Sequence, residues 1–264
     1  MSDLPPPTGP PITAPPQPFS PQFAPPREPH PTLPLPAAIG AIVVLTVSLL
    51  ASKYLLDAVI GFDWPVVVYV TLLGVVGYGP SLVWVRYASH RWGSGRMFHD
   101  VGLRPRLADL GWGPVVWLAA IGTQVAIGAL VLGLGIPLSN NTDGIGELTD
   151  DRTYVVSLVI TAVVAAPFVE EIVFRGLVLR GLRSRMPVVA AVALQAVLFG
   201  VAHADPVRGV GNIGLVLVLS GVGAAFGGAA YLLRRIGPTI VAHAIFNGVV
   251  LVLVLNRVVE RLQN

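Results

Sequence analysis

Beyond Pro36 the chain is written almost entirely in apolar residues, gathered into runs that short polar or basic stretches separate. A hydrocarbon core about 30 Å thick takes about 20 apolar residues to cross as a helix. Runs near residues 37–56, 64–86, 110–136, 154–179, 187–204, 212–233 and 238–257 meet or approach that length. They predict seven spans, or eight if the third run or the 52–68 region divides differently. Their uniform apolarity lacks the alternation of barrel strands, so helices are expected throughout. The expected fold class is all-α, a polytopic transmembrane helical bundle over residues 37–264. Residues 1–36 read differently, holding about 15 of the 24 prolines in runs such as Pro5-Pro6-Pro7 and Pro25-Pro26. Such a segment is expected to be a disordered or polyproline-II-like tail. It lacks the basic start and short apolar stretch of a cleavable signal, so it is expected to stay on the chain.

Composition agrees with this pattern: 54% of residues are hydrophobic and 12% charged, and the mean hydropathy is +0.74. Lipid is therefore an expected partner. The absence of cysteine rules out a disulfide framework, a thiolate metal site and a cysteine nucleophile. The net charge of +3 comes from basic clusters between apolar runs, which read as topology signals, and nucleic acid is not an expected partner. Arg86, Arg91, Arg96, Arg104 and Arg106 lie between spans two and three; Arg180, Arg183 and Arg185 follow span four; Arg234 and Arg235 precede the last span. The positive-inside rule puts these on the cytoplasmic side. The third loop, with Asp143, Glu147, Asp150 and Asp151, falls on the other side. The expectation is an integral protein of the plasma (cell) membrane with a cytoplasmic N-terminus, against which Arg257 and Arg261 near the outer end count.

Ionisable residues inside the spans carry the chemistry. The fourth run holds Phe168-Val-Glu-Glu-Ile-Val-Phe-Arg-Gly176. A charge at the bilayer centre costs about 2.5 to 3.5 kcal/mol on insertion scales, so Glu170, Glu171 and Arg175 need compensation. Glu171 and Arg175, four apart, suit a structural ion pair. Glu170 lies about 100° around the helix and must be protonated or find a polar group on another helix. The fifth run ends in Phe199-Gly-Val-Ala-His203 and the seventh holds His243-Ala-Ile-Phe-Asn247, each pair on one helix face. A carboxylate with a neutral imidazole can bind and deprotonate water, and a second imidazole with a carboxamide can stabilise an oxyanion. That combination points to hydrolysis. The His-Glu-x-x-His signature, a Gly-x-Ser-Gly nucleophile and an intramembrane aspartate pair are all missing. In the sixth run Gly223-x-x-x-Gly227 predicts close helix packing.

The ordered set Glu170-Glu171-x-x-x-Arg175, Phe199-x-x-x-His203 and His243-x-x-x-Asn247 resembles the three motifs of the CPBP family: CAAX prenyl endopeptidases of the Rce1 type, bacteriocin-processing enzymes and Abi proteins. The likeness covers about residues 154–257, with Gly223 to Gly227 and Arg235-x-Gly237 adding to it. It implies a glutamate-dependent intramembrane endopeptidase acting on a peptide or membrane-anchored protein, with no required cofactor. By motif, Glu170 and His203 would activate water, His243 and Asn247 would hold the oxyanion, and Glu171, Arg175 and Phe199 would support them. Zinc held by Glu170, His203 and His243 is an alternative. A non-catalytic binding, transport or scaffold protein using the same polar cluster is another. The run boundaries raise one conflict: Glu170 and His243 come out roughly 10 to 13 Å from the cytoplasmic side, and His203 nearer 24 Å.

Overall fold

A computed structural model describes residues 33–139, 142 and 152–256. The proline-rich segment up to residue 32, the acidic positions Asp143, Glu147, Asp150 and Asp151, and Arg257 and Arg261 lie outside the described residues. The described chain is helical and contains no strand. In order come α1 (Leu35–Val59), α2 (Val66–Trp92), the short α3 (Met97–Asp100), α4 (Ala108–Gly133), α5 (Arg152–Arg183), α6 (Val188–Val201), α7 (Asn212–Leu233) and α8 (Gly237–Leu255). Proline opens several of them: Pro65 and Pro187 stand at the N-caps of α2 and α6, where a missing N–H costs nothing.

Six of these helices are long and apolar enough to cross a membrane. The expected fifth span is the exception. Helix α6 has 14 residues and ends at Val201, before His203. The sequence run read longer because apolar residues continue past the last helical turn. Helix α5, by contrast, has 32 residues and runs on to Arg183, because Arg180 and Arg183 continue the helix where their charge suggested a loop.

The bundle is apolar outside as well as inside, as lipid as a solvent requires. Ile39, Val43, Val47 and Leu50 line the exposed face of α1, while Ala37, Ala38, Ala41, Leu45 and Ser48 face inward. Small inward residues let backbones approach, and polar side chains then reach the neighbouring helix. Ser48 Oγ donates to the Gly77 carbonyl at 2.9 Å, Ser52 Oγ to Leu73 at 3.2 Å and Trp84 Nε1 to Ala37 at 3.0 Å, tying α1 to α2. The glycines of α7 act as expected. A Cβ on Gly223 would press on the Ala196 backbone at 3.1 Å, and one on Gly227 would meet Gln195 Oε1 at 2.5 Å.

Two buried clusters fill the interior. One joins α1, α2, α5 and α6 through residues such as Val85, Ile172, Phe174 and Phe199. The other joins α4, α7 and α8 through Val116, Val222, Phe226, Ala242 and Phe246. The polar residues singled out in the sequence lie along the seam between them.

Candidate active site

Helix α5 changes its pitch on either side of the two glutamates. It is π-helical over Ile160–Ala165 and again over Ile172–Val178, with a six-residue α-helical stretch, Ala166–Glu171, between. Wider turns of this kind gather at functional sites, because they re-aim side chains and loosen the backbone ladder. Asn247 of α8 uses the first one: its Nδ2 donates to the Ala162 carbonyl at 2.8 Å. In lipid an unpaired backbone group is costly, and the carboxamide meets that need while keeping a second N–H.

Glu170 and Glu171 face different partners. Oε1 of Glu170 accepts a hydrogen bond from Tyr78 Oη of α2 at 3.0 Å. Its Oε2 lies 3.8 Å from His203 Nε2 and 3.9 Å from His243 Nε2. Both gaps exceed a direct hydrogen bond and suit a single bridging water. Glu171 is fully buried, and its Oε1 accepts from Arg175 Nη1 at 2.7 Å and meets His243 Nδ1 at 3.0 Å. Arg175, 1% exposed, sits among aromatic faces: Phe199 at 4.3 Å, Phe226 at 5.2 Å and Phe174 at 5.9 Å from the guanidinium carbon. Its Nη2 donates to the Gly223 carbonyl at 3.4 Å. The predicted ion pair therefore exists, and it also anchors one nitrogen of His243.

The depth conflict disappears with the true helix ends. Glu170 is 13 residues before Arg183 and His203 is 15 after Val188, which at 1.5 Å per residue puts both about 20 Å from the α5–α6 turn. His243 is only six residues into α8, but α8 starts inside the molecule. Ile236 is buried and its N–H donates to the Gly102 carbonyl, while Arg235 Nε pairs with Asp109 Oδ1 at 2.5 Å.

Residues 152–249 match the family model described as type II CAAX prenyl endopeptidase Rce1-like. This stretch is an Rce1-like domain. Neither the curated proteins nor the solved structures include a match. With six long apolar helices, the match makes the chain an integral membrane protein, and it supports in general terms a CAAX-protease-like intramembrane endopeptidase.

Every motif residue lies inside the Rce1-like stretch, and the structure brings Glu170, Glu171, Arg175, Phe199, His203 and His243 into one contiguous group. His203 stands beyond the end of α6, yet its ring packs on Phe199 at 4.7 Å and its Nδ1 lies 2.8 Å from the Phe199 carbonyl. Asn247 is one turn from His243 and engaged at Ala162. Tyr78, Phe226 and Asp109 belong to the surroundings and escaped the sequence reading. Phe226, whose ring lies 5.4 Å from His243, could have been suspected from its place in the glycine-rich run. Among the described residues no group of three or more His, Asp or Glu side chains is disposed to hold a metal ion.

The bonds constrain where protons sit. A carbonyl oxygen only accepts, so His203 Nδ1 carries hydrogen and, in the neutral ring, Nε2 is a lone pair. His243 Nδ1 likewise faces a carboxylate oxygen already accepting from Arg175, so it too carries hydrogen. Three acceptors, Glu170 Oε2 and the two Nε2 atoms, thus converge on one space. Adding a donor satisfies them: a water, or a proton on one ring.

Proposed function

We propose that the protein hydrolyses a peptide bond of a membrane-anchored substrate with water activated by Glu170 and His203. The convergence of Glu170 Oε2 with both histidine Nε2 atoms carries this reading. Water between Glu170 and His203 gives up a proton to this pair as its oxygen adds to the scissile carbonyl carbon. The developing oxyanion accepts from His243 Nε2–H and from the second N–H of Asn247. Collapse breaks the C–N bond, the proton passes to the leaving amine, and the products are a carboxylate and an amine. His243 donates from Nε2 when both ring nitrogens carry hydrogen, Nδ1 then donating to Glu171. In that form, with both carboxyls ionised, the cluster sums to zero charge: Glu170 and Glu171 negative, Arg175 and His243 positive. Neutrality is what a lipid-surrounded cluster requires.

The reading needs only side chains and water, so chelating agents leave cleavage unchanged. The test is full-length protein in proteoliposomes with a farnesylated, fluorescence-quenched CAAX peptide. Glu170→Gln and His203→Ala lower kcat by about 1,000-fold or more. Unchanged cleavage in either variant would sink the assignment, and proton flux in vesicles without hydrolysis would favour a transport role instead.

The Rce1-like match supports this choice of substrate class. We further propose a plasma-membrane location and a cytoplasmic N-terminus, supported by the arginines of the 86–106, 180–185 and 234–235 stretches. The chain has no cysteine, so single cysteines placed at Ser94 and Asp63 report sidedness without background. An impermeant thiol reagent added outside intact cells should label position 63 and spare 94, and the reverse pattern inverts the topology.

A further inference from the structure

We infer that Tyr78, outside the Rce1-like stretch, is a positioning residue that orients the Glu170 carboxylate. The inference rests on the proposed role of Glu170. Its basis is a 3.0 Å hydrogen bond between side chains 92 positions apart. A phenol can donate one hydrogen, and Glu170 Oε1 receives it. The carboxyl is planar, so fixing Oε1 leaves Oε2 aimed at His203 and His243, where no protein donor reaches it. The carboxylate is thereby divided into one oxygen for alignment and one for chemistry.

The backbone beneath Tyr78 is held for this purpose. The preceding residue, Gly77, presents its carbonyl to Ser48 Oγ at 2.9 Å, and a Cβ there would meet α1 at 3.6 Å. Two residues on, Pro80 interrupts the α2 hydrogen-bond ladder, which lets a helix bend at this level. Helix α2 is thus pinned to α1 on one side of Tyr78 and has its hydrogen-bond ladder interrupted on the other. The groups facing Glu170 are Tyr78 from α2, His203 after α6 and His243 from α8, with Glu171 and Arg175 next on its own helix. Tyr78 supplies it an O–H donor, which fixes the plane of the carboxylate a water-activating base needs.

The experiment compares wild type with Tyr78→Phe in proteoliposomes, with Tyr87→Phe on the same helix as a control for loss of a hydroxyl. Infrared difference spectra over a pH series, with the Glu170 bands assigned through Glu170→Gln, read the carboxyl directly and need no substrate. The expected result for Tyr78→Phe is a displaced Glu170 carboxylate band, because Oε1 loses its hydrogen bond. On the farnesylated peptide, kcat falls about tenfold with KM within about twofold. A 3-fluorotyrosine at position 78 keeps ring and fold, strengthens the donor and moves the band the opposite way. A band that stays in place in both variants overturns the inference. If wild type itself cleaves nothing, the hydrolytic reading falls, and the infrared arm still decides the role of Tyr78.

Discussion

Helices α1–α4 and α5–α8 are equally apolar, yet they use their polar residues in opposite ways. In α1 and α2, Ser48, Ser52 and Trp84 each spend a donor on a backbone carbonyl of the adjacent helix. In α5–α8 buried charged side chains also face one another, as Glu171 does with Arg175 and His243. A side chain bonded to backbone is a fastener, replaceable by better packing. A side chain bonded to a charged side chain depends on a partner that has nowhere else to go. The first half fixes where helices sit, and the second half stores the reactive charge.

The largest effect should come from breaking that dependence. Arg175→Met leaves Glu171 buried without its guanidinium partner and with only His243 beside it, which costs up to about 3 to 5 kcal/mol. The double variant Glu171→Gln/Arg175→Met should recover much of the loss while remaining inactive, because His243 loses its carboxylate. Denaturant titration in micelles checks both. Equal destabilisation of single and double variants would show that the pair acts only through packing.

A smaller loss is expected where the halves are joined. A Cβ on Gly237 would collide with Asp109 Oδ2, the carboxylate that pairs with Arg235 and accepts from the Arg106 N–H at 2.9 Å. Gly237→Ala should cost about 2 kcal/mol and lower activity by displacing the start of α8. Asp109→Ala in that background should relieve the clash and restore part of the stability. If Gly237→Ala is neutral, the junction is looser than these contacts imply.

The Arg235-x-Gly237 pattern was visible in the sequence, but its reason was not, because Asp109 is remote in the chain and nothing in its neighbourhood points to residue 237. The glutamates, histidines and Asn247 were legible for a simple cause: in an apolar run every polar residue stands out, and a spacing of four gives it a face. The two π-helical stretches left no such trace, since no residue type demands them. Tyr78 was hidden because tyrosine is at home in spans, with an apolar ring and a polar tip. His203 was placed at the wrong relative depth because α5 carries its arginines past the point where charge suggests a loop.

Asp100, the last residue of α3, packed beside the C-terminal end of α2, tests the first half by pH. Burial alone would raise its carboxyl, but hydrogen bonds from Ser89 Oγ at 2.5 Å, Ser94 Oγ at 2.6 Å and the Ser94 N–H at 2.9 Å hold it below the usual carboxylate range. A depressed value in the folded state means the stabilisation is present above the unfolded value and fades as pH falls through the folded one. Asp100→Asn should cost about 1.5 kcal/mol near neutral pH, with the gap to wild type closing on acidification below the ordinary range. Thermal unfolding across a pH series measures it, and a gap independent of pH would mean the serines bind amide and carboxylate alike.

The smallest effect separates two contacts that both cross from the first half to the second. Tyr78 reaches Glu170 in the interior, whereas Lys53 reaches Asp205 at 3.8 Å with both side chains about half exposed, 53% and 41%. Asp205 lies two residues beyond His203, so the ion pair has the look of a clamp on the active site. Its exposure argues otherwise: exposed pairs at this distance are worth about 0 to 1 kcal/mol and weaken with salt. The segment is held instead by Asn212, whose side chain bonds both the N–H and the carbonyl of Asp205 at 3.0 and 2.7 Å, and by the Ser139 N–H on the Gly211 carbonyl at 3.1 Å. Lys53→Ala should therefore change stability by less than about 0.5 kcal/mol and leave kcat and its pH limbs in place. Asn212→Ala should lower kcat, because His203 sits on the segment that Asn212 closes. A large effect of Lys53→Ala would turn the comparison around, making the exposed bridge, and not the half-buried phenol, the link through which the first half governs the second.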